Sequence, residues 1–217
     1  MDNLGEENLF QKTFFWMFLG LLATALTAWY AYSTNMLDQL LADGFFPVIL
    51  LGEVIVVLLF TFLFKRLPAT MAAILYFVYA FANGITLSTV FYMYNLSSIV
   101  VVFFASAGLF GGMALIGYIT KKDLSNWRTI LFGTLIIGII VSIVNIFIGN
   151  QILNIGINWV ILLTFCGITI YDMNKIKMLA QDDRLDKSKL HIYGAMQLYL
   201  DFINIFLRII SLFGKRK

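Results

Sequence analysis

The chain has 217 residues, 61% hydrophobic and 12% charged, with a net charge of +3 and a mean hydropathy of +0.89. A soluble domain cannot hide that much apolar surface, so the composition excludes a water-soluble globule. It points instead to membrane spans of about 20 residues each, of which this length holds at most about nine.

Apolar runs at roughly 13–33, 45–64, 69–93, 97–120, 129–149 and 157–173 are clean, the sixth continuing as helix to 179. A seventh, at 190–213, is interrupted by polar residues. The first run is longer than a signal-peptide core and no small-residue cleavage site follows it, so a retained span is expected. The second places Glu53 in the middle of PVILLGEVIVVLLF and is followed by Lys65 and Arg66. Lys121, Lys122 and Arg128 lie between the fourth and fifth runs, and Lys175, Lys177, Arg184, Lys187 and Lys189 between the sixth and seventh. The alternate connections 34–44, 94–98 and 149–158 hold no Lys or Arg. Basic residues near span ends face the cytoplasm, so the amino terminus and the basic connections are expected inside. Topology explains this charge better than nucleic acid does. The single cysteine, Cys166, lies within a span, which excludes an intramolecular disulfide and suits a small packing residue. No linker or detached domain breaks the series, and the expectation is one all-α integral membrane domain, 1–217, with seven transmembrane helices. The tail Lys215-Arg216-Lys217 resists the scheme, because a seventh complete crossing carries it to the other side; its side is left open.

Between 194 and 211 the small or polar residues are Gly194, Gln197, Asp201, Asn204, Arg208 and Ser211, at steps of three or four. That is one helical stripe, from which only Tyr199 departs. Lipid offers no hydrogen bonds, so the stripe must face protein or water, as a structural seam or as a functional surface. Three acids lie in or near hydrocarbon: Glu53, Asp172 in FCGITIYDMNKIK, and Asp201 in LYLDFINIF. Each costs about 2.5–3.5 kcal/mol at a helix centre, which favours function. Asp172, three residues before Lys175, is expected near the cytoplasmic border, with an interfacial ion pair as the plain alternative. The sixth run travels inward and ends near Asp172; the seventh starts inside, and Asp201 follows about 16 Å later. Both aspartates therefore fall in the cytoplasmic half, on successive helices. Two carboxylates brought together in a poor dielectric share a proton rather than both ionise. The pattern suits a proton sensor, a cation site or an aspartyl protease pair. Intramembrane aspartyl proteases require Gly-x-Gly-Asp and Pro-Ala-Leu; here Leu198-Tyr199-Leu200 precedes Asp201 and the prolines are Pro47 and Pro68. An enzyme is not expected. His191, the one histidine, has no metal-spaced partner and reads as an interfacial residue.

The segments NGITLS at 83–88, TKKDLSNW at 120–127, IYDMNKIK at 170–177 and LYLDFINIF at 198–206 are similar, in this order, to motifs of the Bax inhibitor-1 family, and the chain resembles that family from residue 13 onward. Tyr-Asp-Met-Asn stands where the family usually has Tyr-Asp-Thr-Gln. The resemblance implies seven helices, with the C-terminal one central among six others. It also implies a pH-sensitive calcium leak gated by Asp172 and Asp201, with Glu53 lining the pore and Lys65 or Arg66 latching Asp172. Where relatives usually carry an arginine as partner of the pore acid this chain has Ser211, and Arg208 one turn earlier is the candidate substitute. Tight calcium sites take six to eight oxygens; two or three carboxylates with Asn204, Gln197 and water make a loose one, as conduction needs. Sodium or protons suit the same oxygens. The rival reading is a regulatory protein that binds a membrane protease or other membrane partner and conducts nothing. Calcium, protons and the bilayer are the expected partners, no cofactor is expected, and the compact loops lean toward a bacterial plasma (inner) membrane.

Overall fold

The structure, a computed structural model, describes residues 2–64, 66–181 and 189–217, with side chains from Asn8 onward. Its helices are α1 Asp2–Ser33, α2 Met36–Ala42, α3 Phe46–Leu63, α4 Ala69–Met93, α5 Leu96–Ile119, α6 Trp127–Ile148, α7 Gln151–Gln181 and α8 Leu190–Phe213. Among the described residues, seven of these, all but α2, are long and apolar enough to cross a membrane. The protein is an all-α integral membrane protein, as its composition demands.

Two stretches differ from expectation. The connection 34–44 contains the short α2, entered through Asn35 at φ 52° and left through Gly44 at φ 73°, both in the left-handed region. Helix α7 begins at Gln151 rather than 157 because Asn150 caps it, its Oδ1 accepting the Leu153 amide at 3.0 Å. The turn before it is closed by Gly149 at φ 70° and by two bonds between Asn145 and Asn150, at 3.1 and 3.2 Å.

The chain divides into two compact units. The first holds α1–α4, α8 as far as Tyr199, and Arg216–Lys217; the second holds α5 from Ser97, α6, α7 and Leu200–Lys215. In the first unit α1 and α4 cross on glycine. A Cβ on Gly84 would lie 2.6 Å from Thr27 Cβ and 2.8 Å from the Thr24 carbonyl oxygen, and Gly20 makes room for the Tyr76 ring. The Tyr76 hydroxyl in turn donates to the Trp16 carbonyl at 3.0 Å. Small residues at a crossing are what allow helices to associate by close packing where lipid removes the hydrophobic drive. In the second unit Gly117 of α5 plays this part, facing the Ile170 carbonyl and lying, as a Cβ, 2.9 Å from Met173 Cβ.

Lysines close the carboxyl ends of three spans, where unpaired carbonyls and the negative pole of the helix dipole favour a cation. Lys189 Nζ donates to the Phe64 and Leu67 carbonyls behind α3 at 3.0 and 2.6 Å. Lys177 Nζ donates to the Tyr118 carbonyl of α5 at 2.8 Å, beside Asn174 Nδ2 on the Thr120 carbonyl at 3.1 Å. Lys217 Nζ donates to the Phe91 carbonyl of α4 at 2.7 Å and to the Tyr32 hydroxyl at 3.1 Å. These contacts place the tail. Within the first unit Lys189, just before α8, sits beside the α3–α4 connection, and Arg216 of the tail pairs with Tyr94, just after α4, as an isolated antiparallel bridge. The segment 189–217 thus runs from one end of α4 to the other, and Arg216 and Lys217 lie beside the carboxyl ends of α1 and α4.

Candidate functional site

Helix α8 is the most buried span: 56% of its apolar window is buried, against 11% in α3 and in α6. The predicted stripe is only part of what it hides. Gly194 and Asp201 are buried and Gln197, Asn204 and Arg208 half-buried, but Ser211 is exposed, being in the last turn of the helix. Leu198, Tyr199 and Ile205, off the stripe, are fully buried.

Asp172 and Asp201 are 4% and 2% exposed and act on each other electrostatically. Asp172 is thus buried inside the protein rather than solvated. The close approach of α5 at Gly117, and the bonds from Asn174 and Lys177 to the end of α5, cover the α7 turn that carries it. Lys175 and Arg128 are the cations acting on Asp172 within its unit. Thr169, one turn before Met173 on α7, stands beside Asp201. It donates its only hydroxyl proton to the Phe165 carbonyl at 2.8 Å, so toward Asp201 it can only accept. Asp201 Oδ2 is buried with no hydrogen-bond partner.

A second polar cluster lies in the other unit. Glu53 Oε2 accepts from Asn83 Nδ2 at 3.3 Å, and the same amide nitrogen donates to the Tyr79 hydroxyl at 3.4 Å. Thr86 stands beside Glu53 but its hydroxyl donates to the Asn83 carbonyl at 2.9 Å. Glu53 Oε1 is left buried and without a partner. Tyr199 donates to Asn83 Oδ1 at 3.2 Å and lies 2.7 Å from Thr24 Oγ1. Asn83 and Gly84 of NGITLS therefore have separate tasks, one polar and one steric.

Arg208 Nη1 donates to Asn158 Oδ1 at 3.0 Å, while its Nε is buried without a partner. Asn204 Nδ2 donates to the Leu200 carbonyl of its own helix at 2.8 Å. Arg66 is exposed, and Lys65 lies outside the described residues, as do Arg184 and Lys187. Cys166 is buried and His191 packs its ring 5.8 Å from that of Trp16. Among the described residues no group of three or more His, Cys, Asp or Glu gathers to hold a metal. Asn83, Thr169, Asn158, Arg128 and Tyr199 carry contacts that sequence reasoning did not assign. The signal available for Asn83 and Asn158 was a carboxamide inside an apolar run, which needs a partner in hydrocarbon as a carboxylate does.

In the connection TKKDLSNW, Asp123 Oδ1 accepts from both the Ser125 hydroxyl and, at 2.8 Å, the Ser125 amide. The hydroxyl first and the amide second hold this exposed carboxyl below its ordinary range. The turn leads directly into α6, where Arg128 sits.

Residues 6–217 match the family described as "Inhibitor of apoptosis-promoting Bax1". An "Inner membrane protein YbhL" of Escherichia coli is 35% identical, over 98% of this chain and 94% of its own. An uncharacterized protein of Deinococcus radiodurans is 33% identical over 94% of this chain and 89% of its own, and one of Rickettsia prowazekii, RP147, is 34% identical over 98% and 92%. With seven spans, two buried aspartates on its last two helices and a family match from end to end, the chain belongs to the Bax inhibitor-1 family.

Proposed function

We propose that this protein is a proton-gated leak for calcium in a bacterial inner membrane, with its amino terminus cytoplasmic and with Asp172 and Asp201 as the gate. The observation that carries the reading is the orphaned Asp201 Oδ2 beside a second buried carboxylate. A carboxylate oxygen in that position has no donor, whereas a carboxylic acid brings its own proton and finds acceptors in Asp172 and the Thr169 oxygen. Protonated, the pair ties α7 to α8 by a hydrogen bond. When the proton leaves, two like charges repel in a poor dielectric and the helices shift. Lys175 and Arg128 are the cations that act on Asp172. Glu53, with one unpartnered oxygen, supplies a carboxyl group on the ion pathway, and Gln197 and Asn204 are weaker polar groups along it. Calcium is cargo, held in passing by too few oxygens to stay.

Purified protein in liposomes loaded with a calcium-sensitive dye tests this. Calcium entry that depends on pH supports it. Absence of flux at every pH overturns it in favour of a regulatory protein that acts by binding a membrane partner.

A further inference from the structure

We infer that Glu53 is a second proton-binding site, separate from the aspartate pair: at rest it is the carboxylic acid, its otherwise unpartnered oxygen carrying a proton to Thr86 Oγ1. The inference goes beyond the gate proposed above and holds whether or not the protein conducts. Everything it rests on lies in the first unit. Glu53 stands near the middle of α3 and meets one face of α4, where Tyr79, Asn83 and Thr86 follow at steps of four and three.

Counting protons decides between the acid and its anion. Asn83 Nδ2 donates to Glu53 Oε2 at 3.3 Å and, with its other hydrogen, to the Tyr79 hydroxyl at 3.4 Å. Glu53 Oε1 is buried without a partner. Thr86, the hydroxyl beside the carboxyl, commits its single proton to the Asn83 carbonyl at 2.9 Å, so toward Glu53 it only accepts. A carboxylate is acceptor-only on both oxygens and finds one donor here. The acid needs an acceptor for its proton and a donor for its carbonyl oxygen, and Thr86 and Asn83 are that pair.

Turning the Asn83 amide over does not rescue the anion. The amide oxygen then faces Oε2, where only an acid bonds. Tyr199, 3.2 Å from Asn83 Oδ1, and Thr24, 2.7 Å from the Tyr199 hydroxyl, complete the chain in either sense, because a hydroxyl both donates and accepts. The groups around Glu53 in this unit are Tyr79, Asn83 and Thr86 of α4 and Tyr199 of α8, none of which brings a positive charge. Asp172, by contrast, has Lys175 and Arg128 acting on it within its own unit. A buried carboxyl in a span with no counter-charge is held most cheaply as the neutral acid. The pathway carboxyl is therefore uncharged until it gives up this proton.

The test is infrared spectroscopy of the full-length protein in lipid, following the protonated-carboxyl C=O band against pH. At neutral pH part of that band is expected to disappear in Glu53→Gln and to persist in Asp201→Asn, which assigns it to Glu53. Thr86→Val removes the acceptor of the acid's proton, so the midpoint of this band should fall by about half a pH unit or more, about a threefold loss of proton affinity, with Thr86→Ser close to the parent. A midpoint that rises in Thr86→Val would show a hydroxyl donating to a carboxylate and overturn the inference, and an unchanged midpoint would overturn Thr86 as the acceptor. A parent with no Glu53-dependent band at neutral pH overturns the site outright, and that comparison decides the matter should Thr86→Val not fold. Flux plays no part in the readout: loss of the calcium leak leaves a Glu53 band standing, and a missing Glu53 band leaves the aspartate gate untouched.

Discussion

Replacing Gly84 with alanine puts a methyl group where α1 leaves no room. Its Cβ would lie 2.6 Å from Thr27 Cβ and 2.8 Å from the Thr24 carbonyl oxygen, one of which is backbone and cannot swing aside. Ordinary carbon contacts begin near 3.5 Å, so α1 and α4 must part by about 1 Å. Forcing a methyl into a close-packed interface costs about 1–3 kcal/mol. The same displacement stretches the 2.9 Å bond from Thr24 to the Ala80 carbonyl beyond useful length, removing about 1 kcal/mol more. Higher helix propensity of alanine returns up to about 1 kcal/mol, leaving a net loss of about 2 kcal/mol. Gly112 on α5 is the matched control, since nothing lies within 4 Å of a Cβ there; Gly112→Ala should be neutral or slightly stabilising. Reversible unfolding in mixed detergent micelles measures both. A Gly84→Ala variant within about 0.5 kcal/mol of Gly112→Ala would refute the crossing as described.

Other outcomes follow from the same geometry. Asn158→Leu strands the Arg208 guanidinium without its acceptor and should lower stability by about 2 kcal/mol, with Arg208→Met restoring much of the loss; simple addition of the two losses in unfolding measurements would contradict this. Glu53→Gln should insert normally yet change calcium flux severalfold, and unchanged flux across pH removes Glu53 from the pathway. Asp123→Ala should reduce hydrogen-exchange protection of the Ser125 amide severalfold. Because the Asp123 carboxyl is held below its ordinary value, its contribution in the parent is complete above the usual carboxylate range and fades only as pH falls through the lowered value.

The spans were legible in the sequence because a membrane helix needs little beyond twenty apolar residues, and burial of Asp201 because its stripe repeats at helical spacing. That Asp172 and Asp201 lie close enough to act on each other was to be expected from the travel direction of successive helices. What escaped was non-local. Tyr199 falls off the stripe because it serves a different set of neighbours, 116 positions away at Asn83 and 175 away at Thr24, and no pattern within α8 announces them. Lys177 and Lys189 read as topology signals, which their charge suffices to explain, while their role in closing α5 and α3 depends on which helix ends lie beside them. Ser211 shares the spacing of the stripe but not its burial, since a helix emerges from its neighbours before its last turn. The seven-residue α2 was invisible because a single amphipathic turn or two in a short connection has no period to detect.

The central claim is that Asp172 and Asp201 titrate as one gate. Calcium flux into liposomes, measured from acid to alkaline pH for the parent, Asp172→Asn, Asp201→Asn and the double variant, tests it most directly. One shared proton predicts that each single substitution flattens the pH dependence and that the double variant flattens it no further. Single variants with a normal titration, or effects that add in the double, would contradict the account.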